Sequence, residues 1–143
     1  MFMRILGVML IAVGLLIGSS VQAQEQPRGV KLTNAELEKL TGAGLLADGM
    51  SIPTGWLSTI LYQRTGKAYY MGLDVTGEAG RDEGTWRIAG DTWCVNFPNI
   101  QVPRDQCRTI YRLPDGSYES WFDGKIFSAF RVRTPEGAAK SFK

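Results

Sequence analysis

The chain has 143 residues, with 16 Lys and Arg against 14 Asp and Glu and no histidine, for a formal net charge of +2. That balance lacks the concentrated positive field on which nucleic-acid binding relies. Without histidine, the Ser-His-Asp and Cys-His nucleophilic systems and most zinc sites are excluded.

Arg4 precedes an apolar run over residues 5–17, and Gly18-Ser19-Ser20 then leads to Val21-Gln22-Ala23. This is the layout of a secretory signal peptide over residues 1–23, cut after Ala23, and it predicts a periplasmic or secreted protein. The alternative is a membrane anchor. The run is shorter than the ~20 apolar residues a spanning helix needs, so no stable membrane span is expected after cleavage. Residues 24–31 are polar, hold Pro27 and Gly29, and read as a flexible lead.

Residues 32–135 read as a single β-domain opening on a short helix. Thr33 and Glu36 have the spacing of a capping box, with Leu32 and Leu37 at the staple positions. Gly42 is placed to end the helix in a left-handed conformation. Residues 41–54 are glycine-rich and read as a loop, and residues 76–84, with three glycines and three acids, read as a mobile connection. Between and beyond them lie β-branched and aromatic runs at residues 56–62, 68–73, 85–88, 92–97, 107–113, 117–122 and 125–133. Turn signals separate them, among them Pro114-Asp115-Gly116 and Asp123-Gly124, where Asp-Gly supplies the positive φ a tight hairpin needs. About seven antiparallel strands in near-sequential order must curl or close to hide their edges. The expected fold is therefore a small up-and-down barrel, with a sandwich as the alternative, followed by a polar tail over residues 136–143.

Cys94 and Cys107 are the chain's two cysteines. In an oxidising compartment such a pair is most simply a disulfide, worth ~2–3 kcal/mol on a chain-entropy estimate. Strand parity puts Trp86 with Ile88, Trp93 with Val95 and Phe97, Tyr69 with Met71 and Leu73, and Ile126 with Phe130 and Val132 on core faces. One strand resists this scheme. A simple cross-strand disulfide turns Arg108 and Arg112 inward, unless a bulge resets the register or the bridge ties a loop instead. Inward arginines would imply an anion.

The pattern of helix, glycine-rich loop, Gly84-x-Trp86, Gly90-Asp91, Trp93-Cys94 and Cys107 resembles small exported β-domains of unknown function in Gram-negative bacteria, over nearly the whole mature chain. The Trp–Cys–Cys order and the Asp-Gly hairpin are also similar to periplasmic lipocalin-like inhibitors of proteases and lysozymes, which pair one disulfide with a barrel. No inhibitory residue carries over by motif.

Asp82 with Glu83, or Glu119 with Asp123, are the remaining carboxylate pairs for acid–base chemistry. Acids in turns and on solvent faces are the ordinary case, and the chain reads as non-enzymatic, with no catalytic residue, cofactor or metal. The expected function is a binding module of the bacterial envelope for a small hydrophobic or anionic molecule or a lipid, with Trp56, Trp86, Arg108, Arg112 and Trp121 as candidate lining residues. The alternative is an inhibitor or interaction protein that meets a periplasmic partner through residues 76–84 and 99–105.

Overall fold

The computed structural model of the chain describes residues 25–101 and 104–135. The predicted signal peptide and polar tail lie outside these residues. The elements, in chain order, are β1 (Val30–Lys31), α1 (Asn34–Thr41), β2 (Leu45–Ser51), β3 (Leu57–Tyr62), β4 (Lys67–Leu73), β5 (Ala79–Ala89), β6 (Thr92–Asn96), β7 (Gln106–Arg112), β8 (Tyr118–Phe122) and β9 (Lys125–Arg133).

Every pairing is antiparallel. Consecutive strands pair from β2 to β9, and β9 returns to β2, closing an eight-stranded barrel. β1 lies outside that ring. It pairs with the far half of β7, Val30 opposite Arg112 and Lys31 opposite Tyr111, beyond the point where β6 ends. β2 falls within the expected loop at 41–54, and β5, expected over 85–88, begins earlier at Ala79 within the expected connection. Gly49 and Gly84 answer to the close approach of a neighbouring strand. A Cβ on Gly49 would sit 2.6 Å from the Ala129 carbonyl oxygen, and one on Gly84 would sit 2.0 Å from that of Asn96.

One end of the barrel is stoppered. Thr33 caps α1 with both halves of the capping box formed, and Leu32 and Leu37 are buried in the barrel core. The Asn34 amide N–H donates to Asp91 Oδ1 at 2.8 Å, and its side-chain amide donates to the Gly90 carbonyl at 2.8 Å. These bonds fix the helix against the β5–β6 turn. Gly42 keeps a right-handed conformation, φ −58°. The left-handed residue is Gly44, φ 77°, whose N–H bonds the Thr41 carbonyl, so the chain leaves the helix two residues later than expected. Beneath α1, Tyr62, Trp86 and Trp93 pack edge to face, with ring centroids 4.7–6.0 Å apart.

Two core faces need correction. β4 turns Ala68, Tyr70 and Gly72 inward, and Tyr69, Met71 and Leu73 take the other face. Ala68 and Tyr70 belong to the main core, whereas Leu73 is 46% exposed and Tyr69 packs with Leu46 and Leu61 in a separate cluster. Both faces of this strand are apolar, so its alternation did not decide between them. In β9, Ser128 opposes Ser120 but Ile126 opposes Trp121, which leaves Phe127 as an extra, bulged residue. The bulge breaks the alternation that would have put Ile126 with Phe130 and Val132.

The Asp123–Gly124 turn has both residues at positive φ, 51° and 71°, as a tight hairpin turn requires.

Candidate functional site

Up-and-down order puts the loops in two groups. At the helix end lie the β3–β4, β5–β6 and β7–β8 turns. At the other end lie the β2–β3, β4–β5, β6–β7 and β8–β9 connections. A cavity of about 390 Å³ opens toward this second end, within the range of small-molecule sites. An eight-stranded barrel is just wide enough for its own side chains to fill it, so something must be left out to make room. The register shows what that is. Gly49, Ser58, Gly72 and Gly80 oppose one another in a row across β2, β3, β4 and β5. Of this row, Gly49 and Ser58 line the open half and Gly72 makes room for the Tyr70 ring that walls it, while Tyr62, Trp93 and α1 fill the other half. Ile60, Tyr70, Val95, Phe97 and Phe130 provide apolar walls, and Trp56, 37% exposed, stands at the mouth.

The first part of the β6–β7 loop, through Gln101, is firmly held beside the mouth. Asp82, buried on β5, accepts the Asn99 backbone N–H and side-chain amide at 2.9 Å each and the Ile100 N–H at 3.3 Å. Gln101, also buried, accepts the Phe97 N–H at 2.9 Å and donates to the Val95 carbonyl at 3.0 Å. Asp82 therefore anchors a loop. Its sequence neighbour Glu83 is on the outer face, paired with Lys67. Glu119 is buried beneath the segment that leads into β1, where it accepts from Arg28 and from the Trp121 indole N–H.

The disulfide joins Cys94 and Cys107, which oppose each other directly in the β6–β7 ladder. It is the simple cross-strand bridge. The next pair in register is Trp93 and Arg108, and both line the cavity. Of the three accounts open at Arg108 and Arg112, the structure shows inward parity, with different ends for the two side chains. Arg108 enters the barrel. Arg112 leaves the barrel at the helix end and pairs with Glu36 of α1 at 3.3 Å.

Arg108 meets no carboxylate among the described residues. Its Nε–H and one Nη2–H donate to Gln106 Oε1 at 3.3 and 2.8 Å, and its guanidinium lies 3.8 Å from the centroid of the bulged Phe127 ring. Burial pushes Arg108 down to about 10, which leaves it cationic at neutral pH, and pushes the Tyr62 phenol beside it up to about 12. Trp93 is 3% exposed, and its indole N–H has no acceptor among the described residues.

Of the five lining candidates, the cavity brings together Trp56 and Arg108. Trp86 is spent at the stoppered end, donating to the Gln63 carbonyl at 2.8 Å. Trp121 packs edge to face with Tyr111 and donates to Glu119 on the outer side of β8. Arg112 is held at the helix. Trp93, Phe127 and Gly49 are lining groups that the sequence reading does not name. Trp93 reads as core, Phe127 depends on the bulge, and Gly49 falls in the expected loop.

Outside the mouth, Ala129, Met50, Leu57, Leu73 and Ala79 oppose one another across β9, β2, β3, β4 and β5. Met50, Leu57 and Leu73 are exposed, as are Ile52 and Val75 in the adjoining connections. Among the described residues no helix is long and apolar enough to cross a membrane, and no cluster of ligating side chains suited to a metal ion is present. No protein-family model, curated protein or solved structure matches this chain.

Proposed function

We propose that this protein is an exported, non-enzymatic binding module of the bacterial envelope that carries a small, largely apolar molecule inside its barrel. The observation that carries this reading is the cavity: open at one end, stoppered by α1 at the other, walled by aromatic and aliphatic side chains and lined by the small residues Gly49 and Ser58 where they face each other. The resemblance to lipocalin-like barrels agrees with it as analogy. The test uses an uncharged naphthylamine dye that fluoresces on entering apolar surroundings. The native protein is expected to bind it saturably, and Ser58→Phe, which fills the space between two facing glycines, should abolish uptake while the circular dichroism spectrum stays the same. Undiminished uptake by the folded variant would remove the barrel interior as the site.

A second reading has its own support. Ile52 and Val75 are exposed on connections at the open end, next to the loop held by Asp82 and Gln101. A rigid loop beside an apolar rim suits contact with a protein of the envelope. Co-purification of a stoichiometric hydrolase, with no dye uptake, would favour that reading over the first.

A further inference from the structure

We infer that the molecule held in the cavity is an amphiphile bearing a carboxylate, with its head group at Arg108 and Trp93 and its apolar body running toward Trp56. This rests on the cavity being a ligand site, and it adds the chemistry of the ligand. Two residues with hydrogen-bond donors to spare, Trp93 and Arg108, line that space from paired positions on adjacent strands. Trp93 is buried with an unused N–H, an exception that native interiors rarely leave unexplained. Arg108 is a cation withdrawn from bulk water without an anion among the described residues, and such a charge is ordinarily paired.

The geometry narrows the class further. Gln106 takes the Nε side of the guanidinium and Phe127 covers a face, so what stays open is the edge formed by Nη1 and Nη2. That edge is a planar fork, and a carboxylate matches it with two parallel hydrogen bonds. The remaining walls are mostly apolar carbon; their uncharged hydroxyls include those of Tyr62, Tyr70 and Ser58, with Ser51 and Thr54 toward the rim, and those of Ser120 and Ser128 are already bonded to each other at 2.6 Å. The site therefore rewards one compact anionic group and an apolar remainder.

The experiment compares decanoate with 1-decanol, which share a chain and differ in head group, by calorimetric titration of the native protein at neutral pH. Decanoate is expected to bind about 10- to 100-fold more tightly, the factor that corresponds to a charged hydrogen-bonded contact. Arg108→Met should erase that difference, leave decanol binding in place and leave the unliganded melting temperature equal or higher, because it removes an unpaired interior charge. An arginine with a merely structural role would instead lower the melting temperature. Affinity of the native protein for decanoate should also fall as the pH passes about 10, where Arg108 discharges. Equal binding of decanoate and decanol would overturn the carboxylate while leaving the cavity occupied. Failure of both would overturn the cavity reading itself.

Discussion

Asp82 shows how a side chain suited to chemistry is consumed by architecture. One carboxylate accepts three N–H groups from Asn99 and Ile100 and sits nearly out of reach of water. Replacing it with Ala leaves those donors facing a low-dielectric surrounding without a partner, an effect of about 2 kcal/mol. Asp82→Ala should therefore lower the urea midpoint, and amide exchange should quicken at Asn99 and Ile100 before it does in β6. Protection unchanged at those two amides would mean the loop is held by something else. Gly84 carries the opposite lesson. It stands within the barrel wall because any side chain would strike the Asn96 carbonyl, and nothing in its local sequence separates that from a flexible glycine.

Among the elements, α1 depends most on its neighbours. Eight residues do not sustain a helix alone in water. Its stability comes from the capping box and from Leu37, which is fully buried under the barrel's end. Leu37→Ala should lower the stability of the whole domain by about 3 kcal/mol, and not merely unravel one helix. Guanidinium denaturation monitored by tryptophan fluorescence would report it, since Trp86 and Trp93 lie directly below.

The capping box, the staple and the Asp-Gly turns were legible because each is local: the residues that need one another are three to five positions apart. β2 was not, because Asp48, Gly49 and Ser51 look like a turn until β9 is known to pass alongside. The inward face of β4 was hidden for a related reason. Ala68 is small where the core is packed and Gly72 is small because the Tyr70 ring lies over it, and Tyr69 and Met71 beside them are the more convincing core residues by composition. At the site, the disulfide was legible, while the inward parity of Arg108 was one of three accounts the sequence left open. The separation of Arg108 from Arg112 was not legible, because it depends on where the barrel stops along β7.

At the scale of the molecule, the absence of histidine has a measurable effect. No side chain with an ordinary pKa changes charge between about pH 5 and pH 8. The acids with displaced values all move downward: Asp48 under the Arg133 guanidinium, Asp105 under Arg87, Asp115 under Ser117 and then Arg131, Glu36 under Thr33, and Asp74 under Thr76. A carboxyl held below its unfolded value stabilises the fold above that value and loses the effect as pH falls through the folded one. The melting temperature should accordingly be flat from about pH 8 to pH 5 and decline below about pH 4. A calorimetric series across that range would show it, and a decline already present near pH 6 would contradict it.

The bridge between Cys94 and Cys107 lies one residue from Trp93 and Arg108 on the same two strands. In a β-ladder, sliding one strand by a single position turns every side chain to the opposite surface. The sulfur link forbids that slip at the rung beside the two donors, where it would exile one of them from the lumen and part the pair. It works as a key that fixes the alignment of two rails. A reducing environment would thus blunt recognition well before it dismantled the wall around it.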